Sequence, residues 1–110
     1  MIVLVVANFD VGLYKFRKEL LQEILNSGHE VYISLPNGDL VQPLVDMGCQ
    51  FIETELDRRG MNPVTDLKLI GKYSKILNQV KPDLVITYTI KPNIYMGMLC
   101  KNRSIPYVIN

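Results

Sequence analysis

The sequence predicts an α/β fold, an open parallel Rossmann-like sheet with helices on both faces. Three observations carry that prediction. Residues 2–7 form a short, continuous apolar run, the pattern of a strand buried on both faces. A glycine-containing stretch, Asp10-Val11-Gly12-Leu13-Tyr14-Lys15-Phe16-Arg17-Lys18, follows it and leads into an amphipathic helix. Strand, glycine loop and helix in that order build ligand sites at the carboxyl edge of open sheets. Finally, strand and helix candidates alternate through all 110 residues with no internal repeat or linker. Right-handed crossovers would distribute such helices over both sheet faces.

The elements follow in turn. A first helix is expected over about 15–27, with Phe16, Leu20, Leu21, Ile24 and Leu25 as its apolar stripe and its charged residues facing water. Gly28 is its left-handed stop. Strand two covers 30–35, and Pro36-Asn37-Gly38-Asp39 has the composition of a turn. A short helix near 40–47 tolerates Pro43 early in its length and stops at Gly48. Strand three covers 50–53. The stretch from Glu53 to Asn62 is too polar for core, and Pro63 suits the first turn of a long helix over 63–79. Leu67, Ile70, Tyr73 or Ser74, and Leu77 recur there at spacings of three and four, with Leu69, Ile76 and Val80 beside them. Strand four covers 83–88. A turn through Asn93 leads to a helix over 94–100, whose Gly97 marks close packing or close ligand approach. Strand five, 106–109, has no covering helix after it. That bare edge predicts that residues 1–110 are one Rossmann-like domain, a fragment of a longer protein.

Composition narrows the function classes. Twelve basic and 11 acidic residues leave a net charge of +1, and without a basic tail strong nonspecific nucleic-acid binding is not expected. Cys49 and Cys100 form no C-x-x-C pair and read as reduced core thiols of a cytosolic protein. No run approaches the roughly 20 apolar residues of a membrane span, and the first strand lacks the basic flank of a signal peptide.

Three segments concentrate chemistry-bearing residues. The first follows strand one. It carries neither G-x-G-x-x-G nor G-x-x-x-x-G-K-[ST], which argues against the two commonest nucleotide motifs. Gly12 would let amides at the start of the first helix hold a phosphate or a sugar hydroxyl, with Lys15 and Arg17 adding positive charge; equally, it would simply make a tight turn. Asp10 can accept hydroxyl hydrogen bonds or cap the helix. The second is Asp57-Arg58-Arg59-Gly60-Met61-Asn62. Its adjacent arginines suit phosphate or carboxylate, or a solvated loop with a local ion pair of little worth. The third, Thr87-Tyr88-Thr89-Ile90-Lys91-Pro92-Asn93, lies where open sheets bind ligands, although Thr89 could cap the helix and Asn93 could face solvent. His29, the only histidine, falls at the opposite end of its strand and offers neither a triad nor a metal cluster.

Taken together, these three segments, with Asn62-Pro63 and Ile94-Tyr95 extending the last two, resemble the amino-terminal domain of bacterial family 4 glycosyltransferases. These are retaining enzymes of the GT-B class, and the branch is the one that builds capsular, exopolysaccharide and lipopolysaccharide sugars. Many members have two adjacent glycines in loop one; this chain has Gly12 alone, between Val11 and Leu13. The resemblance implies two Rossmann-type domains facing a cleft, of which the carboxyl-terminal one, holding most of the nucleotide-sugar, is missing here. A sugar would pass from a nucleoside diphosphate sugar, expected to be UDP-linked, to a lipid-linked saccharide, with no metal and no cofactor. Gly12 would approach the donor diphosphate. Asp10, Tyr14, Arg58, Arg59, Lys91 and Asn93 would bind the acceptor or shape the cleft, and no catalytic residue is assigned. The resemblance also implies a cytoplasmic protein with peripheral contact at the inner membrane face, through Lys15, Arg17 and Lys18. The alternatives are a UDP-N-acetylglucosamine 2-epimerase-like domain, the non-catalytic subunit of a split glycosyltransferase, and a flavodoxin-like or receiver domain.

Overall fold

The computed structural model describes residues 1–56, 60 and 62–110. Five strands form one parallel sheet: β1 (Ile2–Val6), β2 (Glu30–Leu35), β3 (Gln50–Glu53), β4 (Leu84–Thr87) and β5 (Tyr107–Ile109). Their spatial order is β3-β2-β1-β4-β5. Every neighbouring pair is parallel, with Val3 opposite Val31 on one side and opposite Leu84 on the other. Each expected strand is present within a residue of its predicted bounds.

Four α-helices connect them: α1 (Asp10–Asn26), α2 (Val41–Met47), α3 (Pro63–Val80) and α4 (Gly97–Arg103), the last entered through a π-helical turn at Pro92–Met96. Side-chain alternation along β1 divides the core in two. Val3 and Val5 join Leu13 and Leu21 of α1 and Val41 and Leu44 of α2 on one face. Leu4 and Val6 join Leu69, Tyr73, Ile76, Leu77 and Val80 of α3, with Met96 and Cys100, on the other. This is the period-two pattern of a strand buried from both sides. Cys49 and Cys100 are buried and unbridged, one in each layer, and burial pushes both thiols up to about 11.

Local signals explain the element ends. Gly28 and Gly48 have φ of 89° and 124°, beyond the ends of α1 and α2, a conformation glycine adopts without steric cost. Asn62 caps α3, its side-chain oxygen accepting from the Val64 amide at 2.9 Å, and Pro63 sits in the first turn. Gly97 packs on β5: a Cβ there would lie 3.2 Å from the Ile109 side chain.

Two expectations are corrected. Helix α1 begins at Asp10 instead of Lys15, because the glycine stretch is helical and not a loop. Of the expected stripe, Leu21, Ile24 and Leu25 pack on the core and Leu13 joins them, whereas Phe16 and Leu20 are exposed. In α3 the inward stripe runs Leu69, Tyr73, Ile76, Leu77, Val80, and Leu67 faces out.

Candidate functional site

The strand order creates a crevice. From β1 the chain moves outward to β2 and β3, then crosses back to β4 and β5 on the other side of β1. At the carboxyl ends of β1 and β4 the connections therefore diverge, which is where open α/β sheets accommodate ligands. A cavity of about 260 Å³ lies there. Ala7, Asn8 and Phe9 follow β1 into it, Gly12, Leu13, Phe16 and Arg17 come from α1, and Tyr88 and Thr89 follow β4. The lining is mainly apolar. Its charged group is the Arg17 guanidinium, stacked 5.0 Å from the centre of the Tyr88 ring. Burial raises the Tyr88 pKa above the ordinary tyrosine range, and the Arg17 charge partly offsets this.

Gly12 occupies the first turn of α1 and lines this cavity. Its φ is not positive, so it is no turn glycine. An added Cβ would meet nothing within 4 Å, so the missing side chain opens the crevice and relieves no clash. Among the described residues no side chain caps the helix, and its first-turn amides, like those of any helix, have no intrahelical acceptor.

Asp10 does not cap its own helix. Its buried carboxylate accepts from the Leu40 amide at 2.8 Å, a charge-assisted bond that ties the start of α1 to the start of α2. Gly38 is the space for it, since a Cβ at 38 would stand 2.4 Å from Asp10 Oδ2. Tyr14 is half-buried against the α1–α2 core layer, with the Lys18 ammonium 5.1 Å from its ring centre. It does not line the cavity.

Lys91 and Asn93 are both engaged internally. The Lys91 ammonium pairs with Asp66 Oδ1 at 2.8 Å. Asn93 accepts from the Thr87 hydroxyl at 2.7 Å and donates to the Asn110 carbonyl at 2.7 Å, joining the ends of β4 and β5. Asp57, Arg58, Arg59 and Met61 lie outside the described residues. His29 sits at the amino edge of the sheet, its Nδ1 3.0 Å from the Met1 amino group.

Two features escape sequence reasoning. Asp66, in the first turn of α3, receives Lys91 on one oxygen and the Tyr95 hydroxyl on the other, at 2.7 Å. These hydrogen bonds, Lys91 first, hold its carboxyl below the usual range, and Tyr95 is pushed up chiefly by the same bond. An acid in a helix's first turn reads as an ordinary dipole partner, and nothing local announces partners 25 and 29 residues away. Thr89, at the cavity mouth, has φ of 73°, a strained conformation for a β-branched residue of the kind that clusters at functional sites. Its hydroxyl donates to the Tyr88 carbonyl.

Comparison with known proteins extends the picture. An N,N'-diacetylbacillosaminyl-diphospho-undecaprenol alpha-1,3-N-acetylgalactosaminyltransferase of Campylobacter jejuni is 27% identical over 96 residues, covering 87% of this chain and 26% of that protein. The crystal structure of Acinetobacter baumannii MurG superposes with a TM-score of 0.75 at 18% identity, over 98% of this chain and 34% of its own. A UDP-GlcNAc 2-epimerase from Neisseria meningitidis, solved with UDP-GlcNAc bound, gives 0.72 at 13% identity, over 99% and 32%. At such identities the structural likenesses establish the fold. The chain thus spans about a quarter to a third of these proteins. A family profile described as Glycosyl transferase 4-like matches residues 2–110, and the chain accordingly belongs to the glycosyl transferase 4-like family.

Proposed function

We propose that this chain forms the acceptor-side half of a glycosyltransferase that moves a sugar from a nucleoside diphosphate donor, UDP-linked, to a lipid-linked saccharide of a cell-surface polysaccharide. The observation that carries the reading is the first turn of α1. Among the described residues no side chain caps it, it carries a glycine with open space in front of it, and it borders the crevice at the strand carboxyl ends. First-turn amides and the helix dipole stabilise negative charge at such a position. Departure of a nucleoside diphosphate builds negative charge on phosphate oxygens, and pre-oriented donors aimed at developing charge are the usual means of lowering such a barrier. Gly12 is the residue proposed to meet the donor diphosphate, across a cleft whose far wall is a second domain. The family match and the Campylobacter relative, whose name specifies an undecaprenol-diphosphate-linked acceptor, support sugar transfer over epimerisation.

The internal partners of Asp10, Lys91 and Asn93 support positioning roles for them in this reading: all three shape the cleft. Tyr14 supports α1 from behind. Arg58 and Arg59 are proposed as acceptor-binding cations. Among the described residues no helix is long and apolar enough to cross a membrane. A cytoplasmic protein working on a lipid-linked acceptor would meet the inner membrane face peripherally, with Lys15, Arg17 and Lys18 turned toward anionic lipid.

The test is direct. The full-length gene product, given a UDP-sugar and a lipid-diphosphate saccharide, should release UDP and lengthen the acceptor, whereas residues 1–110 alone should not turn over. Absence of transfer across a broad panel of donors and acceptors would overturn the reading.

A further inference from the structure

The cavity between α1 and the end of β4 is poorly made for a saccharide. Phe9, Leu13, Phe16 and Tyr88 give it an apolar lining, and the Thr89 hydroxyl is already spent on the Tyr88 carbonyl. Its polar side chains are few, Asn8 and Arg17 beside Tyr88 and Thr89, whereas alkyl groups there would gain from leaving water. Its volume of about 260 Å³ is below the roughly 300–1,000 Å³ of sites that hold a whole small molecule. It therefore suits one segment of a larger ligand.

Charge restricts the choice further. Arg17 stands at this cavity on the Tyr88 face, and Lys15 and Lys18 flank it in sequence. Among the described residues no carboxylate lies within salt-bridge distance of any of the three. The neighbouring acids are otherwise disposed: Asp10 is committed to the Leu40 amide, and Glu19 is two residues along the helix, about 200° around its axis from Arg17. Phe16 is 73% exposed and Leu20 43% exposed, so an apolar strip continues outward beside the guanidinium. An apolar slot beside a cation that has no carboxylate partner among the described residues complements a chain that ends in a phosphate.

We propose that this cavity receives the phosphate-proximal alkyl segment of an isoprenoid phosphate, with Arg17 meeting the phosphate oxygens and Phe16 covering the chain. The proposal rests on the lipid-linked acceptor reading and adds where that acceptor's lipid enters. Arg17 lies five residues beyond Gly12, roughly 7.5 Å along the helix, so the acceptor phosphate and the donor diphosphate occupy separate positions with saccharide between them.

The test uses the 110-residue chain and farnesyl phosphate below its micellar concentration, followed by amide chemical shifts. Saturable shifts are expected at Gly12, Phe16, Arg17, Tyr88 and Thr89, with farnesol binding more weakly at the same residues and inorganic phosphate giving only weaker shifts, confined to Gly12 and Arg17. Arg17→Gln should weaken farnesyl phosphate at least tenfold and farnesol far less, while Phe16→Glu should weaken both. Both residues are exposed, so the variants should fold. Three results would overturn the proposal: no shifts at the cavity, equal shifts with inorganic phosphate, or a response only to anionic vesicles confined to Lys15 and Lys18. Transfer by the full-length protein with no cavity binding would sink this inference and spare the proposed function. Cavity binding without transfer would do the reverse.

Discussion

Tyr73 is the residue whose chemistry fits its surroundings least. It is fully buried in the α3 layer, and its hydroxyl has no hydrogen-bond partner among the described residues. Burial raises its pKa far above the ordinary range, so it stays neutral. An unpaired buried hydroxyl costs about 1–3 kcal/mol. Tyr73→Phe keeps the ring packing and removes the orphan group, so it should raise stability by about 1 kcal/mol, read as a rise of several degrees in Tm. A fall in Tm would show that the hydroxyl has a partner. Asp10 teaches a different lesson at the same scale. A carboxylate just past strand one reads from sequence as a ligand group or a cap, because both use the same residue type at the same place. Its true partner, the Leu40 amide 30 residues on, is fixed by the packing of two helix starts, and Gly38 matters for the space it leaves.

At the scale of elements, the strands were legible because apolar runs of four to six residues between turn signals have one reading in a regular alternation. Helix α3 was legible from its proline start and its apolar spacing, while the Asn62 cap emerges only in the structure. Helix α1 was harder: Gly12 reads as a loop glycine because the penalty for glycine in a helix is real. An expected start at Lys15 left Leu13 outside the helix, and a stripe widened to Phe16 and Leu20 took in two residues that the packing exposes. The Asp66–Lys91–Tyr95 cluster belongs to this scale too, since it ties the first turn of α3 to the turn after β4. Asp66 has a lowered pKa in the fold, so its contribution is complete above the ordinary carboxylate value of about 4 and fades as pH falls through the lowered one. Tyr95 has a raised pKa, so its share is present below about 10 and is lost as pH climbs through the raised value. Asp66→Asn should lower Tm at neutral pH and speed amide exchange at the start of α3 and in residues 91–95. The Tm gap to the parent should close in acid. A gap that persists unchanged at pH 2 would contradict the ionic account.

For the whole molecule, the parallel sheet determines where the site lies. The order β3-β2-β1-β4-β5 puts a crevice beside β1, and the two sequence segments bordering it, after β1 and after β4, are the ones whose composition drew attention. Which side chains enter it was not legible. Lys91 and Asn93 have the right chemistry at the right end of a strand, yet partners from α3 and β5 claim them. Arg17 and Phe16 reach the cavity because α1 starts early. The central claim is that the open first turn of α1 is where a donor diphosphate comes close. Replacing Gly12 with leucine in the full-length protein tests it most directly. The Cβ meets nothing within 4 Å, and leucine is the better helix former by up to about 1 kcal/mol, so Tm should hold or rise. Sugar transfer, measured as kcat/KM for the donor, should fall at least tenfold. A Gly12→Leu enzyme that keeps both its Tm and its kcat/KM would contradict the account.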